Sequence, residues 1–324
     1  MSRLSRVPLL RLLATAWPTV SVEFTARRLT VVSVAGRGHA RVVTGYAAEA
    51  LPEGALTPAL NAPNVHDRAA VVVALRRAFE RLGLRPRRVG VVIPDSVGKV
   101  SLLRFEKVPA RLKDLDQLIH WQVRKAAPFR MEEAQLAYTE GAPVGDGGRE
   151  FVVTLARRDL VEEYESACGE AGAHAGLVDL STFNLINAVL ASSRTAPDGD
   201  WLLVHCETDY STLAIVRGAD LIFFRSRPNE GDEGLADLVH QTMMYHEDRL
   251  GGGGIPRVML VGVAAGGVEH AEQVRRGLQE RMGVAVESID PRGAAALRDR
   301  ISASQELLDG LAPSLGLLLR TSQP

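Results

Sequence analysis

The spacing of apolar residues splits the chain into two halves that follow the same order. After Pro18, β-branched runs over residues 19–24 and 28–34, joined by Thr25-Ala26-Arg27, predict an antiparallel pair, and residues 40–47 predict a third strand. A Pro-rich stretch over 51–64 follows. From Asp67 onward Val71, Val72, Leu75, Phe79 and Leu82 recur at helical spacing while Arg76, Arg77, Glu80 and Arg81 face away, and Gly83 and Pro86 end the pattern. Residues 88–93 form a continuous apolar run before Pro94-Asp95, as expected of a strand covered on both faces. The next segment predicts a strand over 100–105 and a helix over 112–125 with Leu115, Leu118, Ile119 and Val123 in one stripe. Paired strands over 134–138 and 150–156, a helix over 159–171 and a strand over 175–179 complete it. Ser181 stands where a cap is expected, ahead of Phe183, Ile186, Val189 and Leu190.

A polar linker over 195–200 precedes a second start. Strands over 201–206, 212–216 and 220–226, a helix over 234–250, a strand over 257–261, a helix over 269–282 and a strand over 284–288 repeat the order, and a last helix begins near 302. The fold class predicted is α/β, with duplicated β-meander/α lobes facing each other over a cleft in the actin-like (ribonuclease H-like) manner. The first lobe is expected over 19–180, with a small α+β subdomain inserted at about 94–155. The second spans 181–324, its last helix packing back on the first lobe.

A chain of 324 residues is long enough for two such lobes. Hydrophobic residues at 46% and charged residues at 24% are those of a globular protein. With 38 basic against 39 acidic side chains there is no field to draw nucleic acid, and no basic stripe with interleaved aromatics, so that partner class is excluded. Cys168 and Cys206, the only cysteines, lie in no CxxC and beside no His at ligand spacing, so no metal is expected and both read as buried apolar groups in a reducing compartment. No apolar run spans a bilayer. Residues 1–17 intersperse Arg3, Arg6 and Arg11 with Val7, Leu9, Leu10, Leu12 and Leu13. They are open to three readings: a signal peptide interrupted by arginines, a basic amphipathic helix on anionic lipid, or a segment on the protein's own surface.

Several segments resemble a known family. Gly90-Val91-Val92-Ile93-Pro94, Phe105-Glu106-Lys107-Val108-Pro109, the helix over 116–125 leading into Ala127-Pro128-Phe129, Val178-Asp179-Leu180, Phe223-Phe224-Arg225 and Ala312-Pro313-Ser314-Leu315-Gly316 are similar, in order, to the type IV pilus assembly protein PilM. The cytoplasmic part of the type II secretion protein GspL is almost as good a match. The resemblance implies an actin-like fold with an extra subdomain. It also implies a partner-binding role in the cytoplasm, beneath the inner membrane. PilM-like proteins receive the N-terminal tail of the bitopic protein PilN, which implies a tail of that kind in a groove between the first lobe and its subdomain. Leu118, Trp121 and Phe129 are the candidate anchors.

Actin-like ATPases hold phosphate on two hairpin loops in which glycine lets backbone N–H groups approach the oxygens. Against that pattern the first loop offers Glu23, Thr25 and Arg27, its Gly and Lys lost. The second offers His205-Cys206-Glu207 followed by Ser211 and Thr212, with a carboxylate beside the phosphates. At the adenosine position Gly262 remains, Val263 replaces its neighbour, and Gly266-Gly267 follow. No catalytic residue and no cofactor are therefore expected, and Glu23, Thr25, Arg27, Ser211, Thr212, Gly262 and Gly266 mark a degenerate nucleotide cleft. Asp95 and Asp179 suit turn and helix-start roles better than acid catalysis. His240 and His246 lack ligand spacing, and no GxSxG or triad is present. The sequence thus predicts a non-catalytic scaffold of a pilus or secretion platform. An actin-like or sugar-kinase-like ATPase with atypical loops is the alternative, and weak nucleotide binding, self-association and peripheral membrane contact are left open.

Overall fold

Strands β1 (Val20–Phe24), β2 (Arg28–Ala35) and β3 (Val42–Ala50) form an antiparallel meander, and α1 (Arg68–Arg81) then crosses over to β4 (Arg88–Ile93), which runs parallel to β1. This computed structural model describes residues 17–36, 41–193, 199–229, 234–298 and 303–320; the basic and apolar segment over 1–16 lies outside them. Asp67 accepts from the Ala70 backbone N–H at 2.9 Å and caps α1. After an inserted segment, α3 (Arg158–Glu170) returns the chain to β8 (His174–Leu180), parallel to β4. Helix α4 (Ser181–Ser192) leads to the second lobe.

There β9 (Asp200–Cys206), β10 (Tyr210–Arg217) and β11 (Asp220–Pro228) repeat the meander. Helix α5 (Leu235–Leu250), β12 (Arg257–Val261), α6 (Val268–Met282) and β13 (Val286–Ser288) repeat the crossovers. The sheets run β3-β2-β1-β4-β8 and β11-β10-β9-β12-β13, so each meander has its first strand at the centre and its parallel strands on the far side. This is the duplicated α/β actin-like fold.

Two features bind the halves. A two-residue strand, β14 (Ala296–Leu297), pairs in parallel with β3 and extends the first sheet with second-half sequence. Helix α7 (Gln305–Leu319), capped by Ser304, carries Leu311, Leu315 and Leu318 against Val32, Val34 and Val43 of the first sheet. It also packs closely on α4: a Cβ at Gly316 would sit 1.8 Å from the Asn184 carbonyl oxygen. Gly316→Ala is expected to lever the two helices apart and to cost about 1–3 kcal/mol in urea unfolding; unchanged stability would contradict this contact.

The inserted segment is a subdomain of its own. Strands β5 (Gly98–Phe105), β6 (Ala134–Val144) and β7 (Gly148–Arg157) form an antiparallel sheet in the order β5-β7-β6. Helix α2 (Leu112–Arg124) lays Leu115, Ile119 and Val123 on Phe151, Val153 and Leu155. Between the lobes Leu185, Ile186 and Val189 of α4 meet Trp201, Leu203, Ala214 and Met259. Among the described residues no helix is long and apolar enough to cross a membrane.

Candidate functional site

The period-two alternation of a strand decides what each sheet shows the other lobe. On β1, Val20, Val22 and Phe24 enter the first lobe's core, so Ser21 and Glu23 point the opposite way, and Ser21 Oγ donates to the Ser314 carbonyl of α7 at 3.3 Å. On β9, Leu202 and Val204 enter the second lobe's core, while Trp201 and Leu203 face α4. His205 is next in that second series. Glu23 and His205 thus occupy equivalent places near the ends of the two central strands, both turned toward the junction of the lobes.

A third element reaches them. Asp95, in a 3-10 turn after β4, is fully buried and accepts from the Thr182 backbone N–H at 3.0 Å and from Thr182 Oγ1 at 2.5 Å. Ser181 makes no capping bond. Leu180 is the residue before the helix, and Asp95 from a different element supplies the carboxylate for the N-terminus of α4. His205 Nδ1 lies 3.0 Å from Thr182 Oγ1 and 3.3 Å from Asp95 Oδ2, and its Nε2 lies 3.4 Å from Glu207 Oε1. The Thr182 hydroxyl donates its hydrogen bond to Asp95, so both ring nitrogens of His205 are left facing acceptors, the arrangement of a doubly protonated imidazole. Burial works against that charge, yet the bonds to Asp95 and Glu207 outweigh it and push the His205 pKa up to about 10. Burial drives the Glu23 pKa up to about 8 against the pull of Arg28, with Glu207 adding to the rise and His205 opposing it. Arg28 is half-buried beside these groups; burial lowers its pKa, and the nearby Glu23 and Glu207 outweigh that and raise it.

Asp95, Thr182 and His205 are exposed by 0%, 0% and 1%, so this Thr-His-Asp contact offers no atom to a substrate. It is an internal ionic joint between lobes. Among the described residues no group of His, Cys, Asp and Glu is arranged to hold a metal ion. His246 is buried and bonds Asp200, which Arg217 clasps at 2.7 and 2.8 Å; His240 is exposed.

Thr25 Oγ1 donates to the Arg28 carbonyl within its own turn, and Arg27 reaches outward to Glu53 at 2.9 Å. Ser211 Oγ donates to Asn229 Oδ1 at 2.7 Å and Thr212 Oγ1 to Ser226 Oγ at 3.0 Å, both across to β11 and its end. Gly262 has φ of 91°, and a Cβ there would come 1.9 Å from the Cys206 carbonyl oxygen, so its bareness serves the end of β9. Its N–H donates to Asp309 of α7. Gly266 is exposed and lies against His270. Glu23 alone of the seven cleft residues joins the ionic joint. His205, Asp95, Thr182 and Arg28 complete that joint; the shared position of Glu23 and His205 at the two meander turns is the sequence signal for it.

A groove of about 840 Å³ opens where the subdomain, the first lobe and the turn before β11 meet. Ala137 and Thr139 of β6 form one wall, Val178 of β8 and Ile186 and Leu190 of α4 the other, and Leu221 the base. Leu118, Trp121 and Phe129 do not line it: Leu118 is half-buried on α2, Phe129 packs on the subdomain core, and Trp121 is 57% exposed with Lys125 Nζ 4.2 Å from its ring centroid. The α2 stripe was legible by its spacing, whereas the groove is assembled from segments distant in sequence.

Residues 21–249 match the family model of the type IV pilus assembly protein PilM. The chain belongs to that family. A solved PilM-PilN type IV pilus biogenesis complex contains a chain that is 20% identical, with a TM-score of 0.79 over 94% of this chain and 99% of that one. An actin-like ATPase fold protein of unknown function from Bacteroides thetaiotaomicron is similar at 11% identity and a TM-score of 0.47, covering 83% of this chain and 90% of that one. The cytoplasmic domain of EpsL, an inner-membrane component of the type II secretion system of Vibrio cholerae, is similar at 10% identity and a TM-score of 0.45, covering 75% and 81%. No curated protein matches the chain.

Proposed function

We propose that this PilM-family chain is a non-catalytic cytoplasmic scaffold at the inner face of the cytoplasmic membrane. It receives the cytoplasmic tail of a bitopic PilN-like protein in the groove between its subdomain and first lobe. The observation that carries this reading is the ionic joint. Where the phosphate loops of an actin-like ATPase converge, this chain places the buried side chains of Glu23, His205 and Asp95 with the half-buried Arg28 beside them; Asp95 bonds Thr182 and His205, and burial favours the neutral form of Glu23. The residues present do not fit a magnesium-bound triphosphate. The hydroxyls of Thr25, Ser211 and Thr212 are engaged elsewhere, Arg27 turns outward, and Glu207 brings a carboxylate to the second loop. Magnesium and ATP at millimolar concentration are expected to leave the melting temperature unchanged; a rise of several degrees would reclassify the protein as a nucleotide binder.

The tail is assigned to the groove because a concave cleft lined by apolar side chains and polar groups together suits an extended or helical peptide. Asn187 of α4 lines it and is half-buried, so Asn187→Arg fills it without opening a core. Titration with a synthetic PilN tail peptide from the same organism should show binding at least about tenfold weaker, or 1.4 kcal/mol, for this variant. If Trp121→Ala abolishes binding and Asn187→Arg does not, the tail sits on α2 and the groove assignment fails.

A further inference from the structure

Trp17, the first described residue, is itself part of the groove. Its indole lines the cleft and donates through Nε1 to the Leu317 carbonyl at 3.2 Å, so the chain ahead of it begins at the groove's rim. Glu140, Asp179 and Asp220 line the groove; Arg320 pairs with Asp179 and Arg149 with Glu140 at 3.4 Å, which leaves a net negative charge of one, carried by Asp220. Ile186, Leu190 and Leu221 give the lining an apolar part. Residues 1–16 have the complementary composition. They carry Arg3, Arg6 and Arg11, no acidic residue, and Val7, Leu9, Leu10, Leu12 and Leu13. Sixteen residues reach at most about 50 Å when extended, ample to cross a cleft whose rim they already touch.

We propose that the segment over 1–16 docks in this groove of its own chain and acts as an internal competitor for the partner's tail. A tethered ligand meets its site at an effective concentration of about the millimolar range, so modest intrinsic affinity suffices to hold it there. The inference rests on the groove reading given above.

Two measurements on the full chain test it. Leu9→Cys with Asn187→Cys should form a disulfide within one chain under mild oxidation, and adding Arg3→Glu, Arg6→Glu and Arg11→Glu should suppress it at least about tenfold, since the charge match is reversed. In hydrogen exchange the same triple reversal should raise the rates of the backbone amides over 137–141 and 186–191, and it should tighten binding of the PilN tail peptide about tenfold. Failure to cross-link with unchanged exchange overturns the proposal, even where the tail peptide binds the groove. A disulfide between two chains overturns it as well. So does flotation on phosphatidylserine vesicles that the reversal abolishes while exchange in the groove stays the same, which assigns the segment to a membrane. Cross-linking that obeys the charge reversal, with no tail binding in the groove, supports the internal contact and removes the partner reading instead.

Discussion

Asp95→Ala is expected to lower the free energy of unfolding by about 3–5 kcal/mol, a large part of what holds a protein of this kind together. The carboxylate has three duties, none of which water can take over at 0% exposure. It accepts from Thr182 N at 3.0 Å at the start of α4, accepts a second hydrogen bond from the Thr182 hydroxyl, and lies 3.3 Å from His205. Removing it leaves a buried imidazolium facing an empty position and a helix N-terminus without its acceptor. The damage spreads because α4 supplies Leu185, Ile186 and Val189 to the core between the lobes. Asp95→Asn keeps an acceptor for Thr182 N and loses the charge, so it should fall between the two. Urea unfolding of the three proteins decides the matter; an Asp95→Ala protein within about 1 kcal/mol of native would mean the joint contributes little.

Stability is expected to fall steadily as pH rises from about 5 to 10, by several kcal/mol in total. Glu23 holds its proton up to about pH 8 in the folded chain against 4.5 for an ordinary glutamate, chiefly through burial. The folded state therefore binds more protons than the unfolded state across that interval, and stability declines through it. His205 keeps its proton up to about pH 10 against 6.5 once unfolded. Its contribution is complete below 6.5 and is lost as pH climbs to 10. Both groups act in the same direction, and Asp179 and Asp309, also raised by burial, add to the lower part. Glu23→Gln should flatten the profile between about pH 5 and 8 and leave the chain more stable than native above 8, because a neutral amide no longer has to lose a proton in a buried site. His205→Gln should flatten the upper part at lower overall stability. A native profile that is level from pH 5 to 10 would show that neither group is held as described.

Much of the architecture could be read directly from the chain. The strand over 88–93 is apolar at nearly every position because both of its faces are covered, and α1 announces itself through Val71, Leu75, Phe79 and the Asp67 cap. The second meander repeats the first because the same lobe is built twice, so the order of elements predicts the same sheet twice. These signals are local: alternation and helical spacing state which face of an element is apolar.

They do not state what lies opposite. Ser181 has the right chemistry for a cap and sits where a cap belongs, yet the carboxylate comes from Asp95, 87 residues away in sequence from Thr182. His205 looks like a residue of a phosphate loop, and only the packing of the lobes brings it to Asp95, 110 residues away in sequence. β14 is too short to carry a period, and it pairs with β3 because α7 and its neighbours bring it there. The groove has no motif, since its walls come from β6, β8, α4 and β11. The sequence by itself determined the elements, their order and their duplication, because backbone preference and apolar periodicity act over a few residues. The ionic joint and the groove were decided only by tertiary structure, because the energy of a buried charge or cleft depends on groups distant in sequence that fold into contact.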